Sequence, residues 1–415
     1  MKSPIAPRPI RASVLIFLIA AAVRLTLIFV FHHYEIGSRA EPIRISLSLA
    51  RSGAFADPYS LPTGPTAHTA PFYPVLMAPL YAIWGDAPAA DYVRFTVDTL
   101  GACAEYALLP FVAAALGLGW WPGILAGFGG ALIPLHLWVE CVDDFESTWI
   151  ALFLEIATIL FARWLSSPRF GWRSAALGGA MWGFAFLVSP TVLPVLVGFC
   201  VIAWWKPRPR LGTAVQYLAV FAAATLAVIA PWTVRNYVQL GGVFFIRDDA
   251  GLELLVSNND GARTVAADNY RTAFFARNHP FASVAAAREI QRNGELAFER
   301  QALSRALLWI RANPGAFIGL TAKRFVLFWV PRVPRFGWMF GAVTLAAFAS
   351  LLLLYRRIRL PAVILASMFL GYPAIYYCVQ TSLRYEHPLW WIQLMLIGWL
   401  AATLLSWAGR LRAAH

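Results

Sequence analysis

Charge is what this 415-residue sequence has least of: Asp, Glu, Lys and Arg make up 13% of it, against 60% hydrophobic residues. Ordinary soluble domains carry about 25% charged residues, so a water-soluble globule is excluded as the body of the chain. Acids are rarer than bases, 21 against 34, leaving a formal charge of +13. Such an excess invites a nucleic-acid partner, but the bases stand in short clusters between apolar runs, where they orient a membrane chain instead. No nucleic acid is expected. Cysteine is scarce too: Cys103, Cys200 and Cys378 fall in or beside apolar runs and Cys141 ends one. No spacing among them suggests a disulfide framework or a zinc site. There is also no internal repeat, and no stretch long enough to form a separate soluble domain.

What the chain has in quantity is apolar runs of roughly 17 to 22 residues, the length that crosses a bilayer. The expected architecture is an all-α polytopic membrane protein. Ten spans are read near 13–31, 94–117, 123–140, 147–165, 175–189, 190–205, 213–231, 336–355, 360–378 and 389–408. The boundary at Ser189-Pro190 is also compatible with a broken hairpin. Basic clusters at Lys2 to Arg11, at Arg163, Arg169 and Arg173, at Lys206, Arg208 and Arg210, at Arg356, Arg357 and Arg359, and at Arg410 and Arg412 are assigned to the cytoplasm, which places both termini inside. The run Ser13 to Phe31 is longer than a signal-peptide core and contains Arg24, so it is read as a retained signal anchor. Arg24 is expected to pair with an acid such as Glu105, because an unpaired charge in a span is costly. Phe72 to Trp84 and Phe317 to Val330 are read as interfacial helices. The chain then divides into an N-terminal membrane module, 1–231, an extracytoplasmic stretch, 232–335, and C-terminal spans, 336–415. Within 232–335 a helical pattern runs from about Val284 to Ala312 and stops at Asn313-Pro314-Gly315.

Parity puts residues 32–93, Glu140 to Glu146, 232–335 and Gln380 to Pro388 on one outer face, where the polar chemistry concentrates. In the first of these, Glu41-Pro42 predicts a helix start, since proline suits the first helical position and an acid suits the positive end of the helix dipole. Ile43, Ile45, Leu47 and Leu49 form i, i+4 pairs that suit a short helix lying on a membrane surface. The Pro, Gly and Thr cluster from Leu61 to Pro74 predicts an ordered irregular loop.

These residues also carry a resemblance. The order E-x-x-R-I-x-x-S-L-A from Glu41, G-x-F-x-D-P from Gly53 and T-G-P-T-A-H-x-x-P-x-Y-P from Thr63 resembles the first outer loop of membrane glycosyltransferases of the GT-C superfamily. The likeness is to the family 39-like enzymes, such as dolichyl-phosphate-mannose protein mannosyltransferases and aminoarabinose transferases, which take sugar from a polyprenyl-phosphate carrier. P-W-x-x-R-N-Y from Pro231, G-L-E-L from Gly251, Asn258-Asn259, R-A-N-P-G from Arg311 and Arg384-Tyr385-Glu386-His387-Pro388 extend it over nearly the whole chain. Pro42 and Glu386 depart from the pattern.

The resemblance implies a GT-C-type helical bundle with interfacial helices and a modest extracytoplasmic loop region, in a bacterial inner membrane with its active site facing outside. It implies that Glu41 is the catalytic acid of the first loop, with Glu35 the substitute if the register is shifted, and that Glu146, beside Asp143 and Asp144, is a second functional acid. A carboxylate drawn partly out of water has the proton affinity a general base needs; the competing reading of Glu41 is a capping acid. Arg384 would hold the departing phosphate through its planar fork of donors, with Tyr385 and His387 adding donors; interfacial anchoring is the plainer alternative. Glu386, standing where a base is expected, weakens that pocket or pairs with Arg384. Arg44, one helical step from Glu41, and Arg235, Lys323 and Arg324 are further substrate-binding candidates, all also explicable as surface or snorkelling cations. The implied partners are a polyprenyl-phosphate-linked sugar, membrane lipids and an acceptor lipid, glycan or protein. No cofactor or metal is expected, although the three acids could bind a divalent cation. The rival reading is a lipid-linked sugar flippase, for which repeated halves and broken helices at mid-membrane would be diagnostic.

Overall fold

A computed structural model of the chain describes residues 9–30, 40–143, 145–166, 171–205 and 211–413. Glu35, Asp144, Lys2, Arg8, Arg169, Lys206, Arg208 and Arg210 lie outside the described residues, as do the side chains of Arg410 and Arg412. Every regular element among the described residues is a helix. Seven are long and apolar enough to cross a bilayer: Pro9–Val30, Pro88–Ala115, Ser147–Ser166, Gly212–Leu240, Gly337–Arg357, Arg359–Cys378 and Leu383–Gly409. The chain is a multi-pass membrane protein.

The other three runs read as spans are shorter helices, Trp120–Leu132, Trp172–Val188 and Pro190–Trp204. The expected span 123–140 ends early because Pro134 has no N–H to continue the ladder; the chain turns and resumes as Leu137–Cys141. Phe72–Trp84 and Pro314–Trp329 are the two helices expected at the interface. The pattern from Val284 to Ala312 is two helices, Val284–Asn293 and Glu295–Ala312, parted at Gly294, whose φ of +84° only glycine adopts freely. Pro314 does more than stop the second: it is the first residue of the next helix.

Pro88–Ala115 is the central post, packed against the first helix, Trp120–Leu132 and Ser147–Ser166. Small residues set the closest approach, as expected where lipid supplies no hydrophobic drive between helices. A Cβ on Gly123 would stand 2.2 Å from the Leu109 carbonyl oxygen.

Arg24 is fully buried, and its partner is Glu140, not Glu105. Its Nε donates to Glu140 at 2.6 Å, and the guanidinium also donates to the carbonyls of Gly130 and Ala131. The break at Pro134 makes this possible, because it turns Glu140 back under the end of Trp120–Leu132 and exposes those carbonyls. Tyr106 donates its hydroxyl to the same carboxylate. Glu105 is taken instead by His387, 3.3 Å away.

Helix Glu41–Ser52 starts where the sequence places it, with proline in its first turn. Its apolar face differs from the expectation of a surface-lying helix: Ile43 and Leu47 pack on Tyr73, Met77 and Tyr81 of Phe72–Trp84. The stripe is used by protein, which fixes Glu41 in place.

Removing one member of a buried ion pair strands the other charge at a cost of about 3 to 5 kcal/mol. Arg24→Met is therefore expected to lower the unfolding temperature in detergent sharply, and the double variant with Glu140→Met to recover most of the loss. Equal stability of the single variant and the wild type would show that the pair does not hold this corner of the bundle.

Candidate active site

Glu41 opens its helix at the loop-bearing end of the bundle, half-buried, with Arg384, Arg44 and Arg247 in electrostatic reach. Loss of surrounding water raises its proton affinity above the ordinary carboxylate range, outweighing the opposing pull of the three arginines.

The acidic turn reaches the same place. Phe145 adopts φ +47°, a left-handed conformation costly for a bulky residue. On one side of it Asp143 lies 3.4 Å from Arg384 Nη1, and on the other Glu146 lies 3.9 Å from Arg247 Nη1. The Phe145 ring itself sits under the Arg384 guanidinium, 4.9 Å from its centre. Burial also raises the proton affinity of Asp143, against the effect of Arg384.

The third contribution comes from the stretch after Gly212–Leu240. Ile246 is buried at φ +61°, and its carbonyl accepts from Trp232 Nε1 at 2.8 Å and Asn236 Nδ2 at 3.3 Å. That tight corner sends Arg247 inward, where it pairs with Asp249 and donates to the His68 carbonyl. One turn into Ala250–Ser257, Glu253 accepts from Gln380 at 3.1 Å and is pushed up to about 7, first by burial and then by Asp249. Gly251 lets this helix close on Glu295–Ala312: a Cβ there would stand 2.2 Å from the Glu299 carbonyl. Tyr270, half-exposed, lies in the field of Tyr385, Arg384 and Glu41.

Of the residues expected from sequence, the fold brings Glu41, Arg44, Glu146, Arg384 and Tyr385 together. Arg44 donates to the Tyr59 carbonyl at 3.2 Å, and the Tyr385 ring stacks on Tyr376 with centroids 4.3 Å apart. Three others face protein. Arg235 donates to the carbonyls of Thr66 and Phe55, and Arg324 to those of Ser257 and Cys378 and to Asn258. His387 is buried between Glu105 and Thr148. Lys323 points to the exterior. Glu386 does not pair with Arg384: it is turned inward, accepting from Gln393 Nε2 at 2.9 Å.

Sequence reasoning missed Arg247, Asp249 and Glu253 as members of this cluster. Arg247-Asp248-Asp249 just ahead of a helix, in so uncharged a chain, was the available signal. Among the described residues no three His, Cys, Asp or Glu side chains converge closely enough to hold a metal ion.

The arrangement of the helices is similar to the GT-C oligosaccharyltransferase fold, as solved structures show. The chain is similar to the archaeal oligosaccharyltransferase AglB from Archaeoglobus fulgidus, in complex with an inhibitory peptide and a dolichol-phosphate, with a TM-score of 0.53 at 14% identity. The same enzyme tethered to an acceptor peptide containing the NVT sequon gives 0.53 at 16%. Each match covers 97% of this chain and 51% of the other, so the chain spans about half the length of the enzyme it resembles. No family model and no curated protein matches the sequence.

The stretch 240–300 is fastened to the first loop through Glu295, beside which Asp248 is buried. As carboxylates the Asp248 oxygens would have no donor; protonated, Asp248 bonds Glu295, which accepts from Ala67 N at 2.6 Å. Burial and the neighbouring Glu295 and Glu299 push Asp248 up to about 10, whereas in the unfolded chain it titrates near about 4. Between those values the folded state binds more protons, so this contribution is full at low pH and is lost as pH rises. Thermal unfolding from pH 6 to 9.5 should show stability falling in the wild type and a flatter profile in Asp248→Asn. Parallel profiles would count against the shared proton.

Proposed function

We propose that this chain is an inverting glycosyltransferase that moves a sugar from a polyprenyl-phosphate carrier to an acceptor hydroxyl, of the family 39-like kind, at the extracytoplasmic face of a bacterial inner membrane. The observation that carries the reading is the meeting of Glu41, a carboxylate with raised proton affinity, with Arg384 and Arg247 at the loop-bearing end of a GT-C-type bundle. Glu41 takes the proton of the acceptor hydroxyl as its oxygen bonds to the anomeric carbon. The bond from that carbon to the phosphate oxygen breaks, and the electron pair leaves with the polyprenyl phosphate. Arg384 faces the charge that grows on the leaving group, where a fixed cation lowers the barrier most. A single displacement inverts the anomeric centre. Asp143, now 3.4 Å from Arg384, yields its place to the phosphate. The scheme uses no metal. The acceptor is a lipid, glycan or protein hydroxyl.

Transfer from synthetic polyprenyl-phosphate sugars to host membrane extract tests this. Glu41→Gln should abolish transfer at equal expression and folding, and Arg384→Ala should cut it by about a hundredfold or more. Full activity of Glu41→Gln would sink the assignment of the base, and lipid movement between leaflets without transfer would favour the flippase.

Since the base must be unprotonated, activity should rise with pH through a value above the usual carboxylate range. Arg44 holds that value down, so Arg44→Gln should move the rising limb to still higher pH. A limb that stays put or moves down would dissociate Arg44 from Glu41.

A further inference from the structure

Two helices of the bundle break opposite one another beside the candidate active site. Trp172–Val188 gives way at Ser189, which is extended, to the short turn Pro190–Val192. Arg359–Gly371 gives way at Tyr372-Pro373 to Ala374–Cys378. The breaks touch, since a Cβ on Gly371 would stand 3.6 Å from the Pro194 carbonyl oxygen. Irregular backbone at membrane depth is tolerated where it is covered by protein or lines a polar cavity. Here four hydroxyls meet. Ser189 Oγ and Thr191 Oγ1 are 2.9 Å apart, the hydroxyls of Tyr372 and Tyr376 are 3.3 Å apart, and Thr191 hydrogen-bonds both tyrosines.

This cluster adjoins the site. Glu146 is in electrostatic reach of both tyrosine hydroxyls and Arg247 of that of Tyr376. The Tyr376 ring stacks on Tyr385, next to Arg384, with 14° between the planes. Glu146 and Arg247 are also the accessible members, 26% and 20% exposed, and at 3.9 Å they stand too far apart for a good hydrogen bond. The Glu146 carboxylate thus keeps its capacity to accept from a ligand. An acceptor-only carboxylate, hydroxyls that both donate and accept, and aromatic rings suit a polyhydroxylated ring with apolar C–H faces.

We propose that these breaks form the subsite for the transferred sugar of the donor, with Glu146 and Tyr376 bonding hydroxyls of an uncharged pyranose or furanose ring while Arg384 takes the phosphate. The assignment to donor sugar, not acceptor, rests on the transferase reading and on the Tyr376–Tyr385 stack, since the Arg384 guanidinium lies 5.4 Å from the Tyr385 ring centre.

Equilibrium binding to the full chain in nanodiscs separates the parts, using a polyprenyl-phosphate sugar and the bare polyprenyl phosphate as probes. Tyr376→Phe and Glu146→Gln should each weaken the sugar-bearing lipid by about tenfold and leave the bare lipid unchanged. A donor lacking the bonded hydroxyl should bind wild type and variant alike. Equal weakening of both lipids, or of neither, would overturn the subsite; unchanged binding of the bare lipid also certifies that the variant is folded. Turnover is read separately: a wild type that binds the lipids but transfers nothing would overturn the transferase reading, while the ratio of the two affinities still decides the subsite.

Discussion

A charge removed from water inside a bilayer must find its partner within the protein, and the pairs this chain makes determine where its helices can end. Arg24 and Glu140 meet because Pro134 breaks a helix and turns the acid back, and the freed carbonyls of Gly130 and Ala131 complete the guanidinium's shell. Glu105 is then left for His387, and Glu386 for Gln393, which itself accepts from Thr344 at 3.3 Å. These contacts pin the segment Leu383–Leu389 from below on both sides. Arg384 is consequently presented from a rigid base.

How far this could be read in the sequence follows from the range of each interaction. The helix start at Glu41-Pro42 is local chemistry, a dipole and a fixed φ, and it stands where the residues put it. Apolar runs are equally local, and each of the ten falls on a helix, although three are short of a full crossing. Partner choice is not local. Arg24 had two acids within one bundle's reach, and only the Pro134 break decides for Glu140. Glu386 looked like a defect in a phosphate pocket because its partner, seven residues on, is visible only once the last helix is wound.

The cluster around Glu41 shows the same division. Glu41, Glu146 and Arg384 were legible through motifs with fixed internal spacing. Arg247, Asp249 and Glu253 arrive through a corner at Ile246 that is held by Trp232 and Asn236, and by the clasp of Arg235 on the first loop. In the sequence Arg235 reads as a phosphate ligand, and Trp232 and Asn236 carry no role of their own. Their work is to aim other residues.

Geometry also separates the charges that hold the protein from those free to meet a substrate. Arg24 stands 2.6 Å from its carboxylate with both side chains fully buried, a pair that no ligand can enter without dismantling the bundle. Arg384 stands 3.4 Å from Asp143, and Glu146 3.9 Å from an Arg247 already paired with Asp249, with the side chains of Arg384, Asp143, Arg247 and Glu146 between 20% and 37% exposed. A partly wet pair with a long contact gains little from its own attraction, so exchanging the carboxylate for a phosphate or a sugar hydroxyl costs little. In the proposed reaction this looseness is useful in both directions: the acids keep the arginines aimed while no donor is bound, and give way when one arrives. The base follows from the same balance, because loss of surrounding water raises the proton affinity of Glu41 further than the partly wet arginines lower it, which is the condition for a carboxylate to act as a base.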